Sequence, residues 1–281
     1  MTAHSHPPSP DCGAAAAGPA SPSAWRQRRA ALRLPAGRPA LLASVKNLAE
    51  AECACACGVD VLDLKDPARG ALGAWPPEEL ARAARRLAGR VPLSATTGDL
   101  PCIPARLRAA AAAVAASGVD VVKVGFFAGA RREAIAALAG LARDGVRLVA
   151  VLFADRDPPL ELLPAFAAAG FFGVVIDTAA KGAGGLRDHL PDAALAAFLG
   201  EARSLGLIAG LAGSLGADDV PPLARLGPDL LGFRGALCRR ARAGELDPER
   251  VLRIRNLLVR ASGREAAREC RHERDPCPGP A

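Results

Sequence analysis

The feature that most constrains the fold of this chain is a unit that recurs seven times. In each unit an Ala- and Leu-rich stretch ends in glycine, and an apolar run follows within a few residues. A glycine just past the end of a helix adopts the left-handed conformation without steric cost, so the recurrence predicts seven helix ends. The glycines concerned are Gly58, Gly89, Gly118, Gly145, Gly170, Gly206 and Gly227.

The apolar runs that follow these glycines are short and continuous, which is typical of parallel strands buried on both faces. An eighth run precedes the first helix. The predicted strands are Leu41–Val45, Val59–Leu64, Val91–Thr96, Val119–Val124, Val146–Phe153, Phe171–Ile176, Leu207–Leu211 and Leu230–Phe233. Eight strand-and-helix units predict an α/β protein with a single-domain (β/α)8 TIM barrel. A doubly wound open sheet is the alternative, but it requires a Gly-rich loop after the first strand, where this chain has Ser44-Val45-Lys46-Asn47.

The net charge of +7 lies mostly outside the predicted barrel. Residues 1–40 contribute +4, residues 261–281 contribute zero, and residues 41–260 contribute the remaining +3. We therefore expect a disordered Pro-, Ala- and Arg-rich tail over 1–40, a barrel catalytic domain over 41–260 and a polar C-terminal tail over 261–281. A transit peptide is the alternative for the first segment, which lacks a clear amphipathic pattern.

The composition also argues against several kinds of partner and cofactor. A mildly basic body and only ten aromatic residues give no case for nucleic-acid binding. The chain has no uninterrupted apolar run of about 18 residues and no secretory signal, so we expect a cytoplasmic protein without a membrane partner. The cysteines form no C-x-x-C pair, and the spacing predicts neither a zinc site nor a redox motif. A homo-oligomer is compatible with the sequence, which does not specify the number of subunits.

Lysine is rare in this chain, which has 36 basic residues of which only four are lysines. They are Lys46, Lys65, Lys123 and Lys181. Arginine does not deprotonate in proteins, whereas lysine does when its pKa is lowered, so the few lysines are candidates for a titratable amine. All four lie at the carboxyl ends of predicted strands, the face where barrel enzymes keep their active sites.

Two of the lysines lie inside apolar strands, where a buried unpaired ammonium is costly. We therefore predict chemical roles for Lys65 and Lys123. Lys46 precedes a polar helix start and is expected to be structural. A lysine in an apolar barrel mouth indicates Schiff-base chemistry, because desolvation or a neighbouring cation lowers the pKa of an amine and frees it to attack a carbonyl.

Two aspartates accompany these lysines. Asp63 lies two residues before Lys65 and shares its strand face. Asp177 ends the sixth predicted strand, one short loop before Lys181. The carboxylates are candidates to hold the lysines or to relay protons, and structural ion pairing is an equal alternative.

A phosphate site is predicted in the loops after strands 7 and 8, where many barrels bind phosphate. Glycine lets backbone amides approach a phosphate, and arginine adds positive charge. The candidate residues are Gly213, Ser214, Arg234, Gly235 and Ala236. Beyond strand 8, Arg239, Arg240 and Arg242 either close over an anion or form a solvated basic loop.

Six segments, in order along about residues 41–258, resemble the (5-formylfuran-3-yl)methyl phosphate synthase family, also called 4-(hydroxymethyl)-2-furancarboxaldehyde-phosphate synthases. Each segment alone is weak, but together they are specific. The segments are Lys65–Ala74, Ser94–Asp99, Val122–Gly125, Asp177–Lys181, Leu211–Ser214 and Gly232–Cys238. The chain departs from the family pattern at Val45-Lys46 and in the basic loop Arg239–Arg242, and the second departure bears on phosphate binding.

The resemblance implies a (β/α)8 barrel that joins two molecules of glyceraldehyde 3-phosphate into a furan aldehyde phosphate, with loss of phosphate and water. The product of the family feeds a furan-containing one-carbon carrier of the methanofuran type. By resemblance, Lys65 is the Schiff-base lysine, Lys123 the proton acceptor, and Asp177 and Lys181 the other active-site pair. The resemblance also implies no metal and no organic cofactor, with a triose phosphate as the small-molecule partner.

The residues alone leave two other functions open. Another class I aldolase, or a phosphate-binding barrel isomerase, would use the same lysines without making a furan. The second alternative function is a non-catalytic barrel that binds phosphorylated metabolites. This alternative does not explain why Lys65 and Lys123 occupy apolar strands.

Overall fold

The computed structural model describes residues 22–180 and 182–272, with side chains through residue 261, and its centre is a closed barrel. Eight strands follow one another around the barrel in chain order, and each pairs in parallel with its neighbours. They are β1 Ala40–Val45, β2 Val61–Leu64, β3 Leu93–Thr96, β4 Val121–Gly125, β5 Leu148–Phe153, β6 Gly173–Asp177, β7 Ile208–Leu211 and β8 Leu230–Phe233. The predicted TIM barrel is confirmed.

Helices connect the strands and cover the outside of the barrel. They are α1 Pro22–Ala31, α2 Leu48–Ala56, α3 Pro77–Leu87, α4 Pro104–Ala115, α5 Arg131–Arg143, α6 Leu163–Ala168, α7 Leu186–His189, α8 Asp192–Ser204, α9 Val220–Arg225 and α10 Pro248–His272. Proline occupies the first turn of α3, α4, α6 and α9, where its missing N–H leaves no helical bond unmade. The apolar face of α3, with Leu80, Ala83 and Leu87, is buried against the core as an amphipathic helix requires.

The seven predicted helix-ending glycines all have positive φ, between 71° and 91°. After several of these glycines the next residue donates its amide hydrogen back to the helix, as Val59 does to the carbonyl of Ala54 and Leu207 does to that of Ala202. This bond belongs to the helix cap. The strand therefore begins later than the apolar run predicts, and β2 starts at Val61 rather than at Val59.

The interior of the barrel is filled by alternate residues of the strands. One cluster, which we term the inner cluster, lies inside the barrel towards the amino ends of the strands. Its members include Leu42, Val61, Val121, Val175 and Ile208. The intervening residues point outwards, and Leu41, Ala43, Leu62 and Leu64 among others pack in a second cluster with the helices. This alternation sets which residues face the axis at the opposite end of the barrel.

The expectation of a disordered tail over residues 1–40 is wrong for residues 22–39. Helix α1 lies across the amino end of the barrel, where Trp25 Nε1 donates to Asp229 Oδ1 at 3.0 Å and Arg29 pairs with the same buried carboxylate. Leu32 is 4% exposed and belongs to the inner cluster. The Pro- and Arg-rich composition suggested disorder, but these three side chains supply apolar surface and a counter-charge for Asp229. Residues 1–21 lie outside the described residues.

At the other end of the chain, helix α10 runs from Pro248 to His272 and crosses the boundary expected between residues 260 and 261. Residues 261–272 of the expected tail therefore continue a helix, and residues 273–281 lie outside the described residues. Among the helices of the described ranges, none combines the length and hydropathy that a bilayer span needs.

Candidate active site

The polar residues of the site lie on the inner face of the barrel, near the carboxyl ends of the strands. Val61 and Val121 belong to the inner cluster, so Asp63 and Lys123, two residues further along their strands, face the axis one layer higher. Asp177 is the last residue of β6. Asp63 is fully buried, and Lys123 and Asp177 are 3% and 2% exposed. The strand periodicity thus brings charged side chains from three strands to one layer.

Asp63 is surrounded by donors. Its Oδ2 accepts from Lys123 Nζ at 3.0 Å and from Ser44 Oγ at 3.1 Å, while its Oδ1 accepts from Ser94 Oγ at 2.7 Å. Burial by itself raises the pKa of Asp63, but the ammonium groups of Lys123 and Lys65 and the hydrogen bonds outweigh burial and hold that pKa below its usual value. Asp63 is therefore an ionised acceptor and a counter-charge for both lysines.

Lys65 lies between two carboxylates. Its Nζ is 3.9 Å from Oδ2 of Asp63 and donates to Oδ2 of Asp177 at 3.4 Å. Asp177 Oδ1 accepts the amide hydrogen of Thr178 at 2.7 Å, which fixes the carboxylate. Asp63, Lys65, Lys123 and Asp177 form what we term the charge cluster, and its two cations balance its two anions.

A cavity of about 410 Å³ opens onto the charge cluster. Lys65, Lys123 and Asp177 line it together with Arg242 and the loops after β7 and β8. Concave sites with a few convergent polar groups are where small molecules bind. The only charge-cluster member that does not line this cavity is Asp63, which lies behind the two amines as the hydrogen-bond acceptor of Lys123 and the ion-pair partner of Lys65.

The predicted phosphate loops also line this cavity. Gly213, Ser214, Gly235 and Ala236 are all lining residues. Gly213 has φ of 113°, and a Cβ there would lie 3.0 Å from Thr178 Cγ2, so glycine is required for the close approach of the two loops. Within the described ranges, the amide N–H groups of Ser214, Gly235 and Ala236 donate to no protein acceptor. Such amides are suited to an anion.

Arg234, also predicted to bind phosphate, is committed to protein contacts. Its Nε donates to the carbonyl of Arg242 at 2.7 Å, and Nη2 donates to that of Gly244 at 2.8 Å. Nη1 donates to the carbonyl of Ser44 at 3.2 Å and pairs with the buried carboxylate of Glu50. Because the guanidinium fork is occupied in this way, Arg234 fixes the loop after β8. Arg234 also lines the cavity, and its predicted contact with a phosphate stays a prediction.

The other two lysines differ from Lys65 and Lys123. Lys46 Nζ donates to the carbonyls of Ala243 and Gly244 at 2.8 and 3.2 Å, which agrees with the structural role expected for it. Lys181 lies outside the described residues, so its predicted role stays a prediction.

Sequence reasoning missed four residues that support the site. Ser44 and Ser94 stand in register with Asp63 on the two neighbouring strands, and both donate to it. Asp99 accepts the amide hydrogens of Ala71 and Leu72 at 2.8 and 2.7 Å, which fixes the loop after β2. Glu50, the fourth, binds Arg234. A polar residue two positions past an inner-cluster residue is a signal that could have identified Ser44.

The arrangement provides a primary amine beside carboxylates in a small cavity. A lysine amine of this kind forms a Schiff base with a carbonyl substrate, and carboxylates and a second amine within reach can move protons. Within the part of the chain that the structure describes, no three His, Cys, Asp or Glu side chains are grouped to hold a metal ion.

Solved barrels resemble this fold at low sequence identity. The phosphoribosyl anthranilate isomerase of Thermotoga maritima has a TM-score of 0.58 and 13% identity, with coverage of 79% of this chain and 98% of that one. The 3-hexulose-6-phosphate synthase of Salmonella typhimurium has a TM-score of 0.58 and 17% identity, with coverage of 79% and 99%. At such identities the similarity shows the shared barrel fold.

Sequence similarity is higher to one family. The (5-formylfuran-3-yl)methyl phosphate synthase of Archaeoglobus fulgidus is 33% identical over 230 residues, which is 76% of this chain and 97% of that protein. A Methylorubrum extorquens protein that carries the same name provisionally is 45% identical over 215 residues, or 76% and 89% of the two chains. The sequence pattern of the family described as 4-HFC-P synthase matches residues 41–255. The chain therefore belongs to the 4-HFC-P synthase family.

Proposed function

We propose that the protein is a (5-formylfuran-3-yl)methyl phosphate synthase acting through a Schiff base on Lys65. Two molecules of glyceraldehyde 3-phosphate would give the furan aldehyde phosphate, one phosphate and two waters. The observation that carries the proposal is the position of Lys65 Nζ in the cavity, 3.4 Å from one buried carboxylate and 3.9 Å from another. The names of the relatives in the family support the product, and the substrate is the one that the family resemblance implies.

The first step joins the Lys65 amine to the aldehyde carbon of one triose phosphate. The Lys65 ammonium first loses a proton, the lone pair of the neutral amine then forms the C–N bond, and the aldehyde oxygen leaves as water once it is protonated. Asp177 Oδ2 is the carboxylate oxygen closest to the amine, so it is the group placed to move these protons. The resulting iminium withdraws electrons from the adjacent carbon and acidifies its hydrogen.

The second step removes that hydrogen. Lys123 is the proposed base in its neutral form, after its ammonium has lost a proton to solvent, because it lines the same cavity and shares Asp63 Oδ2 with Lys65. The proton then rests on the Lys123 amine beside an ionised carboxylate, where its charge is balanced. Loss of the hydrogen leaves an enamine on Lys65. This enamine is the starting point both for expulsion of phosphate and for attack on the second aldehyde.

Ring closure and loss of water then give the furan, and hydrolysis frees Lys65. The amide groups of Ser214, Gly235 and Ala236 are proposed to bind a substrate phosphate, and Lys181 is proposed to act with Asp177 as the family resemblance implies. The product would serve as a precursor of a furan-containing one-carbon carrier. The chemistry needs neither a redox partner nor a metal ion to balance.

The test is incubation of the full chain with glyceraldehyde 3-phosphate, with furan followed by ultraviolet absorbance and mass spectrometry and phosphate followed colorimetrically. The proposal expects furan and phosphate in equal amounts, and no furan from Lys65→Ala. Substrate consumption without furan would instead indicate another aldolase or an isomerase. Absence of any consumption would indicate a binding barrel.

A further inference from the structure

The basic segment Arg239–Arg242 of the loop after β8 carries three arginines, and of these three only Arg242 lines the cavity. Arg239 is 70% exposed and pairs with Asp247 on the surface. Arg240 is exposed. Arg242 is half-buried and lines the cavity with Lys65 and Lys123. The three side chains therefore differ in role although they are adjacent in sequence.

The side chain of Arg242 crosses the barrel mouth. The loop after β8 folds back so that Arg242 lies beside its first residues, since a Cβ on Gly235 would be 3.9 Å from Arg242 Cβ. The Nη2 of Arg242 donates to the carbonyl of Gly70, in the loop after β2, at 3.0 Å. The other guanidinium N–H groups donate to no acceptor within the described residues, so they are available to a ligand in the cavity.

The charge of Arg242 is maintained in this position. Burial and the neighbouring Arg234 guanidinium lower the pKa of Arg242, and the carboxylates of Asp177 and Asp99 act in the opposite direction. An arginine keeps its proton at neutral pH even when its pKa is lowered in this way. The cavity therefore holds a cation in addition to the two lysines of the charge cluster.

The backbone around Arg242 is fixed before any ligand arrives. Arg234 Nε donates to the carbonyl of Arg242, and Arg234 Nη2 and Lys46 Nζ both donate to that of Gly244. Gly244 itself admits no side chain, because a Cβ there would lie 2.1 Å from the carbonyl oxygen of Arg239. Arg234 and Lys46 thus hold this tight loop in the conformation that directs the Arg242 side chain into the cavity.

The proposed reaction brings two phosphate groups into one cavity, and the amides of Ser214, Gly235 and Ala236 account for one of them. We propose that Arg242 binds the other, the phosphate of the second triose phosphate, whose aldehyde the Lys65 enamine attacks. This inference rests on the proposed function. The loops after β7 and β8 offer several fixed amide donors for the phosphate of the triose that becomes covalently attached. Arg242 offers a separate cation beside the loop after β2. Separate sites also keep two dianions apart.

Kinetics of matched variants test the proposal. The variants are Arg242→Met, which keeps the apolar stem, Arg242→Lys, which keeps the charge, and the control Arg240→Met at an exposed position. Two quantities are measured against substrate concentration: the fraction of chains with a borohydride-reduced triose adduct, by intact mass, and the initial rate of furan formation. Circular dichroism checks that each variant is folded.

We expect Arg242→Met to form the adduct with a half-saturation within about twofold of wild type, while furan formation falls about 10- to 100-fold, as loss of a charge-assisted hydrogen bond predicts. Arg242→Lys should recover part of the rate, and Arg240→Met should match wild type. A parallel loss of adduct and furan in Arg242→Met would overturn the assignment to the second triose. An unchanged furan rate, or no recovery with lysine, would also overturn it.

A measurement on the wild-type chain avoids any question of folding. Phenylglyoxal modifies accessible guanidinium groups, and peptide mass spectrometry locates the product. Inorganic phosphate should protect Arg242 and leave Arg240 unprotected, and equal modification of Arg242 with and without phosphate would overturn the proposal. If wild type forms no furan, the proposed function itself fails, whereas normal furan formation with an unaffected Arg242→Met overturns only the role of Arg242.

Discussion

The ammonium group of Lys123 lies 3.0 Å from Oδ2 of Asp63, and neither side chain is more than 3% exposed. Asp63 stands in register with Ser44 on one neighbouring strand and Ser94 on the other, and both hydroxyls donate to its carboxylate. The carboxylate is therefore fixed from both sides. It holds the lysine that we propose as the base in a single position, next to Lys65.

Replacement of Asp63 by asparagine should uncouple this pair. Without the carboxylate, the Lys123 ammonium loses its counter-charge and deprotonates more readily, so the ascending limb of the pH–rate profile for furan formation should move to lower pH. Breaking a buried ion pair also costs about 3–5 kcal/mol of unfolding free energy. Asp60→Asn is the control, because Asp60 pairs with Arg38 outside the charge cluster. Asp60→Asn should lose stability without a shift of the pH–rate profile. An unshifted pH–rate profile in Asp63→Asn would contradict the role given to Asp63.

The lowered pKa of Asp63 makes part of the stability pH-dependent. A carboxylate whose folded pKa is below its unfolded value stabilises the fold above the unfolded value, here 3.8, and this contribution is lost as the pH falls through the folded pKa. Ser94→Ala removes one hydrogen bond that lowers the pKa, at a cost of about 1 kcal/mol near neutral pH. Urea unfolding should show this cost shrinking below about pH 4. For the control Ser117→Ala, whose hydroxyl donates to the carbonyl of Val114, the cost should not change with pH.

Arginine at position 234 should not be replaceable by lysine. An ammonium cannot reproduce the planar fork that reaches Glu50, Ser44 and the loop carbonyls together. We expect Arg234→Lys to lose about 1–3 kcal/mol in urea unfolding and most of its furan-forming activity. The exposed Arg239→Lys should match wild type in both measurements. Wild-type stability and activity in Arg234→Lys would show that the contacts of Arg234 do not position the loop.

The helix at the amino end of the barrel should contribute to stability and not to catalysis. Leu32→Ala removes a buried side chain from the inner cluster and should cost about 2–5 kcal/mol of unfolding free energy. The activity per folded molecule should be unchanged, because Leu32 lies at the end of the barrel opposite the charge cluster. The exposed Arg26→Ala should stay within about 0.5 kcal/mol of wild type. If Leu32→Ala lost as little unfolding free energy as Arg26→Ala, this would contradict the packing of Leu32 against the amino end of the barrel.

Local signals in the sequence were sufficient for the fold and for part of the site. A glycine such as Gly58 marks a helix end through the chemistry of one residue, and its positive φ in the structure confirms the prediction. Lys123 inside an apolar strand and Lys65 at the end of another were identifiable because a buried lysine is costly unless it is paired. Two-residue periodicity placed Asp63 on the same face as Lys65, and the distance between them agrees.

The remaining features depend on contacts between residues that are far apart in the chain. Arg234 and Glu50 are separated by 184 positions, so the sequence suggested a free guanidinium where the fold occupies it. Trp25 and Asp229 are separated by 204 positions, and composition alone could not show that a Pro- and Arg-rich segment meets a buried carboxylate. Neither pairing is visible until the barrel closes and brings β8 beside β1.

Borohydride reduction in the presence of glyceraldehyde 3-phosphate, followed by peptide mass spectrometry, shows whether Lys65 is the nucleophile. With only four lysines in the chain, the modified position is unambiguous. We expect a reduced triose phosphate adduct on Lys65 and none in Lys65→Ala. Furan formation with the adduct on another lysine, or with no adduct at all, would contradict it.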